Sequence, residues 1–133
     1  MKTAALIARI LLGLMFVIFG LNGFLHFIPQ PPMAPGLARD YFTVLSASHY
    51  MVPVFLLQLT GGALLLVNRY VPLALVLLGP VLVNILMFHT LMAPAGIPPG
   101  LLATVLWLIV FYQHRAAFAG IFTMREPGEA PVG

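Results

Sequence analysis

VPLALVLLGPVLVNILMFHTLM, residues 71–92, decides how the rest of the chain is read: it carries no charge, and its principal interruptions are Pro80, Asn84 and His89. As a helix rising about 1.5 Å per residue it is about 33 Å long, the thickness of the hydrocarbon in a bilayer. It reads as a membrane-spanning helix. Asn84 and His89 then need an explanation, because a polar group taken out of water costs kilocalories unless a nearby group satisfies it.

The whole chain agrees with its central run. Of 133 residues, 62% are hydrophobic and 7% charged, whereas an ordinary soluble domain carries about 25% charged residues. A mean hydropathy of +1.08 points the same way, and the chain is read as one integral membrane domain. The net charge of +3 comes from basic residues scattered singly, which argues against a nucleic-acid partner. Cysteine is absent, which excludes disulfides and thiolate metal or redox centres.

Around that run the spacing predicts an all-α, antiparallel four-helix bundle over residues 1–122, with spans at about 4–28, 50–67, 71–92 and 99–119. The first run is longer than the apolar core of a signal peptide and lacks its small-residue cleavage site. Arg9 is expected to snorkel to the nearer headgroups, and Gly13, Gly20 and Gly23 to let a neighbouring backbone come close. PQPPMAPG, residues 29–36, cannot continue a helix. A short amphipathic surface helix should follow, with Leu37, Tyr41, Val44, Leu45 and Ser48 on one face. The link Asn68, Arg69, Tyr70 permits only a tight reversal. Pro80 should bend the third span, and a second proline cluster at residues 93–99 precedes the fourth. Trp107 lies mid-span, away from an interfacial belt, and is assigned to packing. Residues 123–133 read as a disordered cytoplasmic tail. Lys2, Arg9, Arg69, Arg115 and Arg125 fall on the side of both termini and Arg39 alone on the other, so both termini are expected in the cytoplasm.

On this topology Asn22, His26, Gln58, Asn84 and His89 all fall in the outer half of the membrane. Two accounts compete. In one, the amides are hydrogen-bond glue between helices, worth about 0.6–2 kcal/mol each. In the other, the five residues line a ligand pocket, with Phe19, Phe88 and Trp107 as walls, because polar groups gathered at one depth mark a ligand or ion route. No metal site is assigned, since no two of His26, His49 and His89 have the spacing of a helical ligand pair. The spans hold no carboxylate, and nothing matches a catalytic triad or phosphate loop. No reaction is expected from this chain on its own.

The segments ARILLGLMFVIFGLNGFLHF, LARDYFTVLSASHYMVPVF and NRYVPLALVLLGPVLVNILMFH make the chain resemble the DoxX family of small bacterial four-span membrane proteins, from Ala8 to about Phe122. The spacing of Asn84 and His89 matches that of many members. The resemblance implies a multi-pass protein of the bacterial inner membrane and a link to membrane redox systems, with a quinone as candidate ligand and a redox subunit as candidate partner. Many relatives carry glutamate at the position of Gln58 and glycine at that of His49, which removes a titratable group here and weakens a shared histidine site. The expectation is therefore an outer-leaflet pocket that binds a quinone headgroup or another small amphipathic molecule. Its alternative is a structural or accessory subunit in which the same residues only hold helices together.

Overall fold

A computed structural model of the chain describes residues 2–126 and 128. The described residues form helices and loops only: α1 Lys2–Leu25, α2 Leu37–Ala47, α3 Met51–Val67, α4 Val71–Leu91 and α5 Pro98–Gln113, with short 3₁₀ segments at Pro94–Gly96 and Arg115–Phe122. By length and composition α1 and α4 can each cross a membrane, and up to four crossings result if each of two bent pairs counts as one span: α2 with α3, and α5 with the 3₁₀ segment after it. Large apolar side chains cover the outside, among them Leu6, Ile7, Leu56, Leu73, Val76, Leu101, Leu102 and Val105. Water would penalise such a surface, whereas lipid tails are as apolar as leucine.

Helix α1 packs on α3 and α5, and α4 packs on the same two. Glycine sets the closest approach. A Cβ on Gly62 would come within 2.9 Å of the Gly13 carbonyl oxygen and of the Val17 backbone nitrogen, so α1 and α3 touch backbone to backbone. Further along the same seam Gly20 lies against Leu59, and Gly23 against the Phe55 ring. The approach expected at Gly13, Gly20 and Gly23 is present.

The interior is packed at one end and hollow at the other. Ala8, Leu12 and Phe16 of α1, Leu65 of α3, Val71, Ala74, Leu75, Leu78, Val81 and Leu82 of α4, and Ala103, Leu106 and Val110 of α5 supply the continuous core. It fills the end that holds the start of α1 and the α3–α4 reversal. That reversal is a Schellman closure: Asn68 takes the left-handed conformation (φ 55°), Arg69 N donates to Leu64 O at 3.1 Å and Asn68 N to Leu65 O at 3.3 Å. The Trp107 indole Nε1 donates to Leu75 O at 3.1 Å and ties α5 to α4.

Several expectations are corrected. Helix α1 ends at Leu25, short of the residue 28 expected for the first run, because His26 turns left-handed (φ 51°) and the Asn22 side chain takes the Ile28 N–H at 2.8 Å. The fourth does not run unbroken from 99 to 119. It stops at Gln113 and turns by 84° into the 3₁₀ segment. Arg115 Nη1 donates to Tyr112 O at 2.6 Å, a carbonyl that a further turn would need, and Ala117 N donates to His114 O at 3.0 Å in the tighter 3₁₀ pattern. Past the bend Phe118 folds back onto Phe111, which stacks on Trp107. Arg9 does not reach for headgroups: its Nη1 donates to Leu65 O and Leu66 O at the end of α3. Helix α2 turns Ala38, Tyr41, Phe42 and Leu45 inward, the i, i+3, i+4, i+7 set of one helical stripe. Leu37 and Val44, expected on that face, point outward. Of the expected tail at 123–133, residues 127 and 129–133 lie outside the described residues.

Candidate functional site

The hollow end is a cavity of about 680 Å³, within the usual range of about 300–1,000 Å³ for small-molecule sites. Its walls come from the later turns of α1, the first half of α3 and the start of α5, with Ile85 of α4 behind and Phe42 and Ser46 of α2 across the opening. The cause is local. Helix α5 presents Gly100 and Ala103 to this space, and neither side chain extends far enough to fill it. Met15, Phe16 and Phe19 of α1, which packs on α5, line the same space. The result is an apolar chamber with a few polar groups set into it.

Gln58 is the deepest of these and the only polar or charged residue buried among the described residues, at 7% exposure. It lies seven residues beyond Met51 at the start of α3, about 10 Å along the axis. Its carboxamide makes no side-chain hydrogen bond to the described residues, yet no fully sealed polar atom is left unpartnered. What exposure Gln58 keeps is exposure to the cavity it lines. Asn22 lines the same space with its oxygen already accepting from Ile28 N, which leaves its amide N–H groups for the cavity. His26, Gln30, Ser46 and His49 form the mouth, all exposed. His26 and His49 both sit in the left-handed region, φ 51° and 60°, which histidine enters more readily than most residues. Each ends one helical segment and starts the chain in a new direction. At His49 the turn between α2 and α3 is 87°.

Of the five residues singled out in the sequence, Asn22, His26 and Gln58 share this cavity; Asn84 and His89 do not. Asn84 is exposed and its Nδ2 donates to Pro80 O of its own helix at 3.0 Å. Its level along α4 suits the site, but its direction does not. The buried stripe Ala74, Leu78, Val81, Leu82 is centred about 105° around the helix from residue 84, which turns its side chain to the exposed flank. His89 is half-buried, donates through Nδ1 to Ala93 O at 3.1 Å and lies on the Gly96 backbone, so it shapes the α4–α5 connection. Phe19 is a wall as expected, whereas Phe88 packs against Tyr41 and Phe42 and Trp107 against Phe111, both outside the lining. Met15, Phe55, Gly100 and Ala103 are lining residues that the sequence did not single out. Paired small residues opposite a glutamine on another helix were the available signal.

The site has no cluster of three or more metal-ligating side chains among the described residues. Its lining is an apolar chamber with an amide at the bottom and uncharged polar groups and imidazoles at the rim. A consequence is that Asn84→Leu should leave the cavity intact. Its stability in detergent is expected to stay within about 0.5 kcal/mol of the parent, as for substitutions away from core and site, and heat protection by a cavity ligand to be unchanged; loss of that protection in a thermal-unfolding assay would return Asn84 to the site. No family model, curated protein or solved structure matches this chain.

Proposed function

We propose that this protein is an antiparallel bundle of four membrane spans that binds a small amphipathic molecule in the cavity beneath α2. The contact ladder supports the arrangement, since partners on α3 fall from Leu66 to Phe55 as α1 rises from Gly13 to Gly23. The observation that carries the ligand is Gln58. Its carboxamide has no partner among the described residues and is open to the cavity rather than sealed, so whatever fills the chamber supplies its hydrogen bonds, and the chamber is large enough to hold a small molecule that would do so. A quinone headgroup, with carbonyls on an apolar body, belongs to that class and agrees with the resemblance to the DoxX family. The bacterial inner membrane and a redox partner subunit enter the reading through the same resemblance.

Interhelical glue is the weaker account of these particular residues. Asn22 and Asn84 bond within their own segments, Thr60 is exposed, and Gln58 bonds to none of the neighbouring helices. Arg9 and Trp107 do that work instead.

The test is heat protection in lipid nanodiscs. Gln58→Met keeps the volume and removes the amide. Stripped of bound lipid, it should unfold close to the parent's temperature, because the lost amide bonds to nothing in the protein itself and is open to the cavity. The parent should gain several degrees when native lipid extract or a short-chain quinone is returned, and the variant should gain less than half as much. If the stripped variant melts well below the parent, Gln58 is structural and the binding reading is lost.

Orientation is checked separately. In this cysteine-free chain, a cysteine replacing Pro35 should react with an impermeant maleimide added outside intact cells, whereas one replacing Gly128 should react only after lysis. The reverse pattern would invert the topology.

A further inference from the structure

The lining of the cavity says more about its ligand than that it is amphipathic. We propose that it takes an uncharged, rod-shaped molecule with its polar tip inward, a hydroxyl on Gln58, and its apolar body running out toward the mouth. This rests on the ligand-binding reading above and narrows it.

Three features lead there. Among the described residues no lysine, arginine, aspartate or glutamate lines the space, so an ion at the depth of Gln58 would lose its water without gaining a counter-charge. Such a burial is costly, and the penalty selects against carboxylates and quaternary amines alike. The second feature is the direction. Polar groups at the mouth are exposed and reach solvent, but Gln58 is 7% exposed and opens only onto the chamber. The group that needs a partner is the inner one. Third, a carboxamide presents one acceptor oxygen beside one donor NH₂. A ligand carbonyl would use only the donor, whereas a hydroxyl gives its hydrogen to Oε1 and accepts from Nε2. Between this point and Met51 lie about 10 Å of helix that present Val52 and Phe55 to the cavity, with Phe24 of α1 against the Phe55 ring, a wall suited to an alkyl or isoprenoid body.

The experiment uses the full chain in phosphatidylcholine nanodiscs and three photoreactive probes of one chain length: a primary alcohol, the carboxylate at alkaline pH and a quaternary ammonium. Each carries its diazirine next to the head, and labelled positions are mapped by mass spectrometry. All three should label the outward-facing Leu101, Leu102 and Val105 alike, which controls for partition into lipid. Only the alcohol should label the inner wall at Phe55 and Ala103, at roughly 10-fold or more above the charged probes, and Gln58→Met should lower that labelling about 10-fold, the equivalent of one well-made hydrogen bond. With the diazirine moved to the tail, labelling should shift to Met51 and Val52 near the mouth. Equal inner labelling by a charged probe, or an inner label from the tail position, overturns the proposal and leaves a cavity of different selectivity. If no probe reaches the inner wall while all label the outside, the ligand-binding reading itself falls, and this proposal with it.

Discussion

Gly62→Val is expected to destabilise the fold by about 3 kcal/mol or more, beyond the usual 1–3 kcal/mol of an overpacked core. The reason lies in what the new atoms would meet. Even one Cβ at this position lies 2.9 Å from Gly13 O, Val17 N and Val17 Cγ2. Two of those three atoms are backbone, so no rotamer change relieves the clash and α1 must separate from α3. Separation spreads along the seam, because Gly13 meets Leu66 and Gly20 meets Leu59 at similarly short range. It would also draw the last carbonyls of α3 away from Arg9. Gly79→Ala is the contrast. Its Cβ would sit 3.6 Å from the Trp107 ring, an ordinary contact, and alanine is the better helix former by up to about 1 kcal/mol. Denaturant titration in a mild detergent, followed by Trp107 fluorescence, should show a large loss for Gly62→Val and none for Gly79→Ala. Equal midpoints for the two would mean that α1 and α3 do not meet at this glycine.

The same comparison shows what the sequence can and cannot express in a membrane. Glycines at 13, 20 and 23 announced a close approach because absence of a side chain is itself a pattern, and breaks at the proline clusters were readable for the same local reason. Direction around a helix was not. In water a span's inner face is the apolar one, but α4 is apolar on every side, so nothing in its composition says which face Asn84 occupies. Its depth could be counted; its azimuth depended on where α3 and α5 sit. The cavity posed the opposite problem. It exists because Gly100 and Ala103 fail to fill the space beside Gln58, residues some forty positions apart in sequence, and no local pattern joins them. Arg9 was misjudged because snorkelling to headgroups is the default for an arginine near a span's end. A helix C-terminus within reach offered carbonyls that a headgroup could not match.

Arg9 supplies the second large effect, and it separates those two fates of the side chain. Helix α3 ends with carbonyls that have no further turn to pair with, and the dipole of the helix concentrates negative charge there. The guanidinium of Arg9 enters from α1 and donates to Leu65 O and Leu66 O, meeting both needs with one group. Hydrogen bonds from a charged donor are worth about 1.5–3 kcal/mol; Arg9 is half-buried, so solvent screening keeps the expected loss for Arg9→Met near 2 kcal/mol rather than above it. Methionine retains the aliphatic stem, so the loss reports the donors and not the packing. Arg9→Lys should recover part of it, since an ammonium also donates but sits on a stem one bond shorter than the one that carries Nη1 to these carbonyls. The measurement belongs in an uncharged sugar-headed detergent, where no phosphate remains for an arginine to reach. If Arg9 served the headgroups, Arg9→Met would cost nothing there and would matter only in a phospholipid bilayer. If it ties α1 to the end of α3, the loss appears in both, and Lys2→Met, an exposed neighbour on the same helix, stays within about 0.5 kcal/mol of the parent.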